Sequence, residues 1–472
     1  MVMAAASSSS SNVYLPDECW ECIFKFLINH DTERAHRRYF HLKPLSIVSK
    51  QLLSITNRFL SSLTIYNPTC QFFHTLFRRF SNITSLNLSS YDGDLDYPLV
   101  QISRFPLKIT SLDISNHSGI PAKGLRAFSK NITTLTSLVC SNIANIYDRD
   151  MLFIEDGFPL LEELDISITR FKLFRTPFSL ALSKLRKVNL YDNYYMSNEI
   201  LFHLFKNCKL LEEVNIVKCW GITLSGIAAA LRERPTLTCI NISYCKRLTE
   251  SSLFKLVSNC PSLTEIKMEW TSFGKESATN SNSSMDCIVN SQVKSLYLAY
   301  CARLRDETII RFSSLFSNLQ LLDMNSCQFI SDEGIDQVLS RFLTVRHLNL
   351  ANCSRAKLLV GTSFELPNLE VLNLSYTTVD DKTLYAISKG CRGLLQLYLE
   401  NCGYVTWKGV KYVFENCTQL REINLRNCYN VRGNICSMLS SSQSLRKLIA
   451  PPHFRLTRRT VKLLSHYGCR VC

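Results

Sequence analysis

The stretch LEEVNIVKC (211–219) returns as LTCINISYC (237–245) and again as LTEIKMEWT (263–271), each time 26 residues further on. Six later stretches keep the same order: VKSLYLAYC, LQLLDMNSC, VRHLNLANC, LEVLNLSYT, LLQLYLENC and LREINLRNC. Taking the middle apolar residue as a marker gives Leu86, Leu112, Leu138, Leu164, Val188, Val214, Ile240, Ile266, Leu296, Leu322, Leu348, Leu372, Leu397, Ile423 and Leu448, fifteen repeats. Nine of the fourteen intervals are 26 residues, and only the interval of 30 between Ile266 and Leu296 exceeds that length. A period this regular means one structural unit stacked many times rather than several unrelated domains.

The pattern apolar-x-x-apolar-x-apolar-x-x-Cys is the leucine-rich-repeat signature. Its apolar-x-apolar centre alternates with period two and reads as a short, half-buried strand. Segments such as TESSLFKLVSNC follow, with Leu253, Leu256 and Val257 at helical spacing and Thr249, Ser331 and Asp380 as suitable N-cap types. One such unit cannot bury its own apolar face, whereas stacked neighbours can. The expected fold is therefore α/β: a horseshoe solenoid of about 15 repeats with an opening turn at LSSLTI (60–65). Strands spaced by about 4.8 Å would line its concave side over roughly 70 Å.

Composition matters most through cysteine and charge. The chain has 472 residues and 20 cysteines. The opening MVMAAASSSSSN has no basic region followed by an apolar one, so it reads as a tail (1–12) and not a secretory signal. No run of 18 apolar residues suggests a membrane span. A cytoplasmic or nuclear location is expected, where disulfides are rare. Seven repeats place Cys five residues after the marker (Cys219, Cys245, Cys301, Cys327, Cys353, Cys402, Cys428), where fewer than one is expected by chance. Four more (Cys208, Cys260, Cys391, Cys417) sit six residues before it, at the ends of helical segments. These are expected to be core residues whose weak S–H reaches a neighbouring carbonyl. Cys19-x-x-Cys22 and Cys469-x-x-Cys472 have zinc-like spacing but lie at opposite ends of the array, so no metal site is expected. No phosphate-binding glycine loop or catalytic histidine pattern occurs, so neither a cofactor nor catalytic residues are assigned.

The net charge is +15, of which residues 421–472 contribute +9. That end (451–472) reads as a basic cap. Nucleic acid is disfavoured as a partner because no interleaved aromatic platform is evident among these basic residues.

Ahead of the array, residues 13–58 form a helical module. Leu15-Pro16 precedes DECWECIFKFL, with Cys19, Ile23, Phe24 and Leu27 on one side, and Leu45, Val48, Leu52 and Ile55 follow at helical spacing. This block resembles the F-box motif through Leu15, Pro16, Glu18, Ile23, Phe24, Leu27, Val48, Ser49 and Lys50. Leu52 stands where an aromatic is common, and the loop from Ile28 to Pro44 is basic. With a cysteine-containing array (59–450) directly behind it, the chain resembles the plant-type F-box/leucine-rich-repeat proteins.

The resemblance implies a non-catalytic substrate receptor of an SCF ubiquitin ligase. Leu15, Pro16, Glu18, Ile23, Phe24, Leu27, Leu45, Val48 and Ser49 would meet a Skp-type adaptor, and through it a cullin and a RING subunit. A target protein would bind the concave face, where residues one before, one after and three after each marker point. Lys187, Tyr191, Lys267, Glu269, Tyr297, His347, Tyr398, Glu400 and Arg426 are the candidates there, since aromatic and charged side chains supply interface energy. The recurring Asn after the marker reads as a structural ladder. The alternatives are a repeat scaffold without a ligase role and a small-molecule-gated receptor of the same architecture. The polar loop Ser272–Gln292 is a further place where function could reside.

Overall fold

The computed structural model describes residues 15–29, 42–169, 171–172, 181–274, 289–353, 366–433, 444–453 and 468–471. The chain divides into two units, residues 1–140 with 156–161 and residues 141–155 with 162–472.

The first unit opens with α1 (Asp17–Asn29). Pro16 precedes it, a position where the missing N–H matters little, and its carbonyl accepts from the amides of Cys19 and Trp20. The helical spacing of Leu45, Val48, Leu52 and Ile55 does not produce one helix. A short α2 (Leu42–Leu45) ends in a turn, and α3 (Lys50–Phe59) begins after Ser49. Ser49 is extended (φ −154°) and its hydroxyl accepts from the Leu52 amide at 3.1 Å, so its N-cap conformation breaks the continuity. Phe24, Leu52 and Ile55 form the buried core of this module, with Trp20, Leu45 and Phe59 packed around it.

From α3 the chain passes directly into β1 (Ser62–Thr64), the expected opening turn. β1 starts a parallel ladder that continues through Ser85–Asn87, Ser111–Asp113 and Ser137–Val139. Arg79 donates to the Asn57 side chain at 3.2 Å and Asn82 to the Arg58 carbonyl at 3.4 Å. The helical module and the first repeats thus share contacts, as the lack of a Gly/Ser spacer implies.

In the second unit a parallel ladder runs from Glu163–Asp165 to Arg470–Val471, with each marker opposite the next: Ile240 faces Ile266, and Leu296 faces Leu322. All fifteen markers sit at strand centres with at most 3% exposure, while their strand neighbours are mostly half-buried. This is a leucine-rich-repeat solenoid. The final pairing, Lys447 with Arg470 and Leu448 with Val471, carries the ladder past residue 450, where the sequence suggests that the array ends. That last strand has two residues and no full signature, so the repeat pattern does not reveal it.

Helices pack behind the strands, and their starts follow cap chemistry. Ser331 accepts from Gly334, Asp380 accepts from Thr383, and Thr249 forms a capping box with Ser252. Cys208, Cys260, Cys391 and Cys417 are the C-caps, each amide donating four residues back. All seven cysteines five after the marker donate to the carbonyl two after the previous marker: Cys245 to Ile216 at 3.2 Å and Cys428 to Leu399 at 2.9 Å span the geometry. Where Cys is absent, Thr169, Asn193, Thr271 and Thr377 occupy the slot and also donate to carbonyls, whereas Ile143 fills it as a fully buried apolar side chain. From Thr169 to Cys428 the slots named here hold a buried donor, of which the thiol is one solution.

One further position is special. From Asn116 to Asn427, the residue four after the marker is left-handed, with φ between 54° and 66° in all thirteen cases. Five are Asn, which tolerates this region. Ile168, Lys218, Tyr244, Trp270, Tyr300 and Tyr376 are not of that kind.

Two of the expected features fall mostly outside the described residues: 275–288 of the polar loop, and 454–467 with Arg455, Arg458, Arg459 and Lys462.

Candidate functional site

Two surfaces carry the candidate residues. The first belongs to the helical module. Asp17 accepts from Gln51 at 2.8 Å and from Arg58 at 2.9 Å, and Arg58 also reaches Glu21 at 3.1 Å. The Gln51 hydrogen bond and then Arg58 hold the Asp17 carboxyl below the usual range. These contacts fasten α1 to α3 and fix which side chains remain outside. Sequence reasoning named Glu18, which is exposed, and missed Asp17, Gln51 and Arg58.

The apolar candidates separate. Phe24 has 0% exposure and holds the module together, so it cannot itself touch an adaptor; its helical spacing does not distinguish core from contact. Ile23 is 40% exposed and Val48 is 68% exposed, joined on the surface by Phe26 and Ile47, neither of which the motif marks. Leu15 and Leu45 are half-buried, while Pro16 and Ser49 are exposed, Ser49 serving as a cap. Leu27 lies in α1, and its side chain is outside the described residues. Four exposed large apolar side chains on so small a module are of the sort that partners cover.

The second surface is the strand face of the second unit. Its Asn ladder is structural: Asn241 and Asn373 each accept from the amide two residues on, at 3.1 and 3.0 Å. Lys187 pairs with Glu213 at 3.0 Å, and Lys218 donates to the Tyr191 hydroxyl at 2.8 Å. Lys267 pairs with Glu265 at 2.7 Å and lies 5.0 Å from the Tyr297 ring centre. Burial raises the Glu269 carboxyl, and the like charge of Asp323 adds to it. His347 lies 4.0 Å from Glu370. Arg426 is exposed.

Two hollows lie on this face. One of about 440 Å³ is lined by Tyr300, Ser326, Asn352, Tyr376, Tyr398 and Glu400 among others. A neighbour of about 170 Å³ includes Tyr297, Asp323, His347 and Tyr398. Four of the nine candidates, Tyr297, His347, Tyr398 and Glu400, therefore come together. Lys187, Tyr191, Lys267, Glu269 and Arg426 line neither hollow.

Sequence reasoning missed the left-handed row. Lys218 lies 5.6 Å from the Tyr244 ring centre, Tyr244 stacks on Trp270 at 5.2 Å, and Trp270 stacks on Tyr300 at 4.4 Å. The signal was present as an aromatic directly before the Cys/Thr slot in SYC, EWT, AYC and SYT.

Chemistry at the buried thiols is suppressed. Burial pushes Cys219, Cys245 and Cys353 up to about 12, leaving almost no thiolate near neutrality. Among the described residues no group of His, Cys, Asp or Glu is arranged to hold a metal ion, and no helix is long and apolar enough to cross a membrane.

These features define a leucine-rich-repeat protein with a helical module packed on its first repeats. The chain is similar to plant F-box/leucine-rich-repeat proteins. It is 29% identical over 75 residues to F-box/LRR-repeat protein 23 of Arabidopsis thaliana, 16% of each chain. It is 22% identical over 319 residues to the BTB/POZ domain-containing protein FBL11 of the same plant, covering 64% of this chain and 30% of that one. The chain thus spans less than a third of the length of either relative. No family model matches. Similar solved structures include the Rad7–Elc1 complex of yeast (16% identity, 96% of this chain and 92% of that one, TM-score 0.47). An internalin of Listeria monocytogenes (15%, 84% and 96%, TM-score 0.44) and the TLR13–ssRNA13 complex (15%, 84% and 58%, TM-score 0.49) are also similar.

Proposed function

We propose that this chain is a substrate-recognition subunit of an SCF-type ubiquitin ligase. Its helical module docks on a Skp-type adaptor, and through it on cullin and RING subunits. The strand face of the repeats recruits a protein for ubiquitination, and the chain itself makes or breaks no bond. Its contribution is to raise the effective concentration of target lysines at the ligase.

The observation that carries this reading is the exposed set Ile23, Phe26, Ile47 and Val48 outside the module's own Phe24–Leu52–Ile55 core. A mere cap for the solenoid would present polar residues to water there. The similarity to plant F-box/LRR-repeat proteins supports the same reading.

Capture of a purified Skp-type adaptor by the full chain tests it. The wild-type chain retains the adaptor, and Ile47→Asp/Val48→Asp loses it while remaining folded. A folded wild-type chain that captures no adaptor overturns the ligase role.

A further inference from the structure

The hollow bounded by Tyr300 and Tyr376 has the chemistry of a cation site. Its lining combines tyrosine rings with the Glu400 carboxylate, Asn and Ser, and contains no Lys or Arg. The adjoining hollow adds Asp323 and His347, and the two share Asn373 and Tyr398. In a chain with 54 basic and 39 acidic residues, a lining of this sign is a local reversal of the overall charge. Glu400 accepts from the Tyr376 hydroxyl at 3.1 Å and from Asn424 at 3.3 Å, both neutral donors. No described ion pair engages it; Arg426, next along its row, does not line the hollow, although its charge reaches the Tyr376 hydroxyl.

The left-handed row gives the hollow its walls. Lys218, Tyr244, Trp270 and Tyr300 occupy the same position in consecutive repeats, and the last three stack with ring planes 13–16° apart. The row then changes to Ser326 and Asn352 and returns to an aromatic at Tyr376. At a strand spacing of about 4.8 Å, Tyr300 and Tyr376 stand roughly 14 Å apart. That opening admits one extended side chain with its backbone. Trp270 already covers one face of Tyr300, so the hollow receives the other.

The same row argues against an accidental surface. Asn meets the backbone requirement at Asn352, Asn401 and Asn427, yet bulky rings occupy the strained conformation at Tyr244, Trp270, Tyr300 and Tyr376. Fold alone does not ask for them.

We infer that this hollow receives an arginine side chain from an exposed segment of the recruited protein, its guanidinium against a tyrosine face and paired with Glu400. A planar guanidinium suits both contacts: it stacks on aromatic rings and forms two parallel hydrogen bonds to a carboxylate. The site repels phosphate through Glu400, which sets it apart from a single-stranded nucleic-acid platform, where basic residues accompany the rings. This inference rests on the reading that the strand face recruits a protein.

Saturation-transfer NMR with the full chain tests it, using the blocked peptide Gly-Ser-Arg-Ser-Gly, its citrulline analogue and a ten-residue oligouridine. The arginine peptide binds saturably in the millimolar range, and the isosteric, uncharged citrulline peptide binds at least tenfold more weakly. Glu400→Gln and Tyr300→Asn each reduce arginine binding to the citrulline level. Tyr300→Asn installs the residue that the repeat itself uses at this position, so the fold is retained. Equal binding of the citrulline peptide, indifference to both variants, or oligouridine binding abolished by Tyr300→Asn overturns the inference. Adaptor capture on the same preparation separates the two claims. Adaptor retained without arginine binding defeats only the hollow, and arginine binding without adaptor defeats only the ligase reading.

Discussion

Trp270 stacks on Tyr300 with ring centres 4.4 Å apart and planes 13° from parallel, although both residues are left-handed, at φ 54° and 59°. Two opposed effects meet in this pair. The left-handed backbone costs about 1–2 kcal/mol per ordinary residue, and an aromatic pair returns about 0.5–1.5 kcal/mol. Trp270→Asn should therefore change stability by no more than about 1 kcal/mol, measured by urea denaturation.

Ile168 isolates the backbone effect, because it is β-branched, left-handed (φ 54°) and 44% exposed. Ile168→Asn should stabilise the chain by about 1 kcal/mol. The converse change, Asn352→Ile, should destabilise it comparably and also removes the bond from Asn352 to Ser326. Two changes of the same sign in thermal unfolding would contradict the argument.

The cysteine slot predicts a donor requirement rather than a thiol requirement. Cys327 donates to the Leu298 carbonyl at 3.2 Å in a fully buried site. Cys327→Val keeps the volume, leaves that carbonyl with the Cys301 amide as its donor and should cost about 1 kcal/mol. Cys327→Thr should cost less, because Thr271 and Thr377 in the equivalent slot satisfy their buried hydroxyls on the carbonyl three residues back in their own repeats. Equal losses for Val and Thr in chemical denaturation would remove the hydrogen bond from the explanation.

Stability should fall in alkali. Burial raises the thiols of Cys208, Cys219, Cys245, Cys260 and Cys353 from 9.0 to about 12. The unfolded chain therefore releases these protons first, so their contribution is fully present below pH 9 and is lost as pH rises toward 12. Melting temperatures recorded from pH 7.5 to 10.5 should be flat at first and then decline. A thiol reagent at pH 8 should modify exposed Cys19 and Cys22 rapidly and these buried cysteines only on unfolding.

Close packing between successive helices is similarly exposed to test. The Asp306 carboxylate accepts from the Ser331 amide at 2.8 Å and hydroxyl at 2.6 Å, and it lies directly against Gly334. A Cβ at Gly334 would overlap Asp306, so Gly334→Ala should destabilise by about 1–3 kcal/mol. Gly403→Ala, where a Cβ meets nothing within 4 Å, is the control in the same melting experiment.

The period of the repeats made the fold legible, because burial of each marker demands the same spacing in every turn. Helix starts at Thr249, Ser331 and Asp380 were legible for the same reason: cap chemistry is local. The core role of Phe24 and the exposure of Ile47 were not, since both residues satisfy an apolar pattern and only tertiary packing separates them. On the strand face, alternation pointed to residues beside the markers and so reached Tyr398 and Glu400. It passed over Tyr244, Trp270, Tyr300 and Tyr376, which lie beyond the strand in a turn with a left-handed backbone. Period-two reasoning does not extend into such a turn.

Hydrogen–deuterium exchange of the full chain with and without a saturating Skp-type adaptor tests the central claim most directly. The account predicts protection confined to peptides spanning residues 15–29 and 42–59, abolished by Ile47→Asp/Val48→Asp. No protection anywhere, or protection centred on the repeat strands instead, would contradict it.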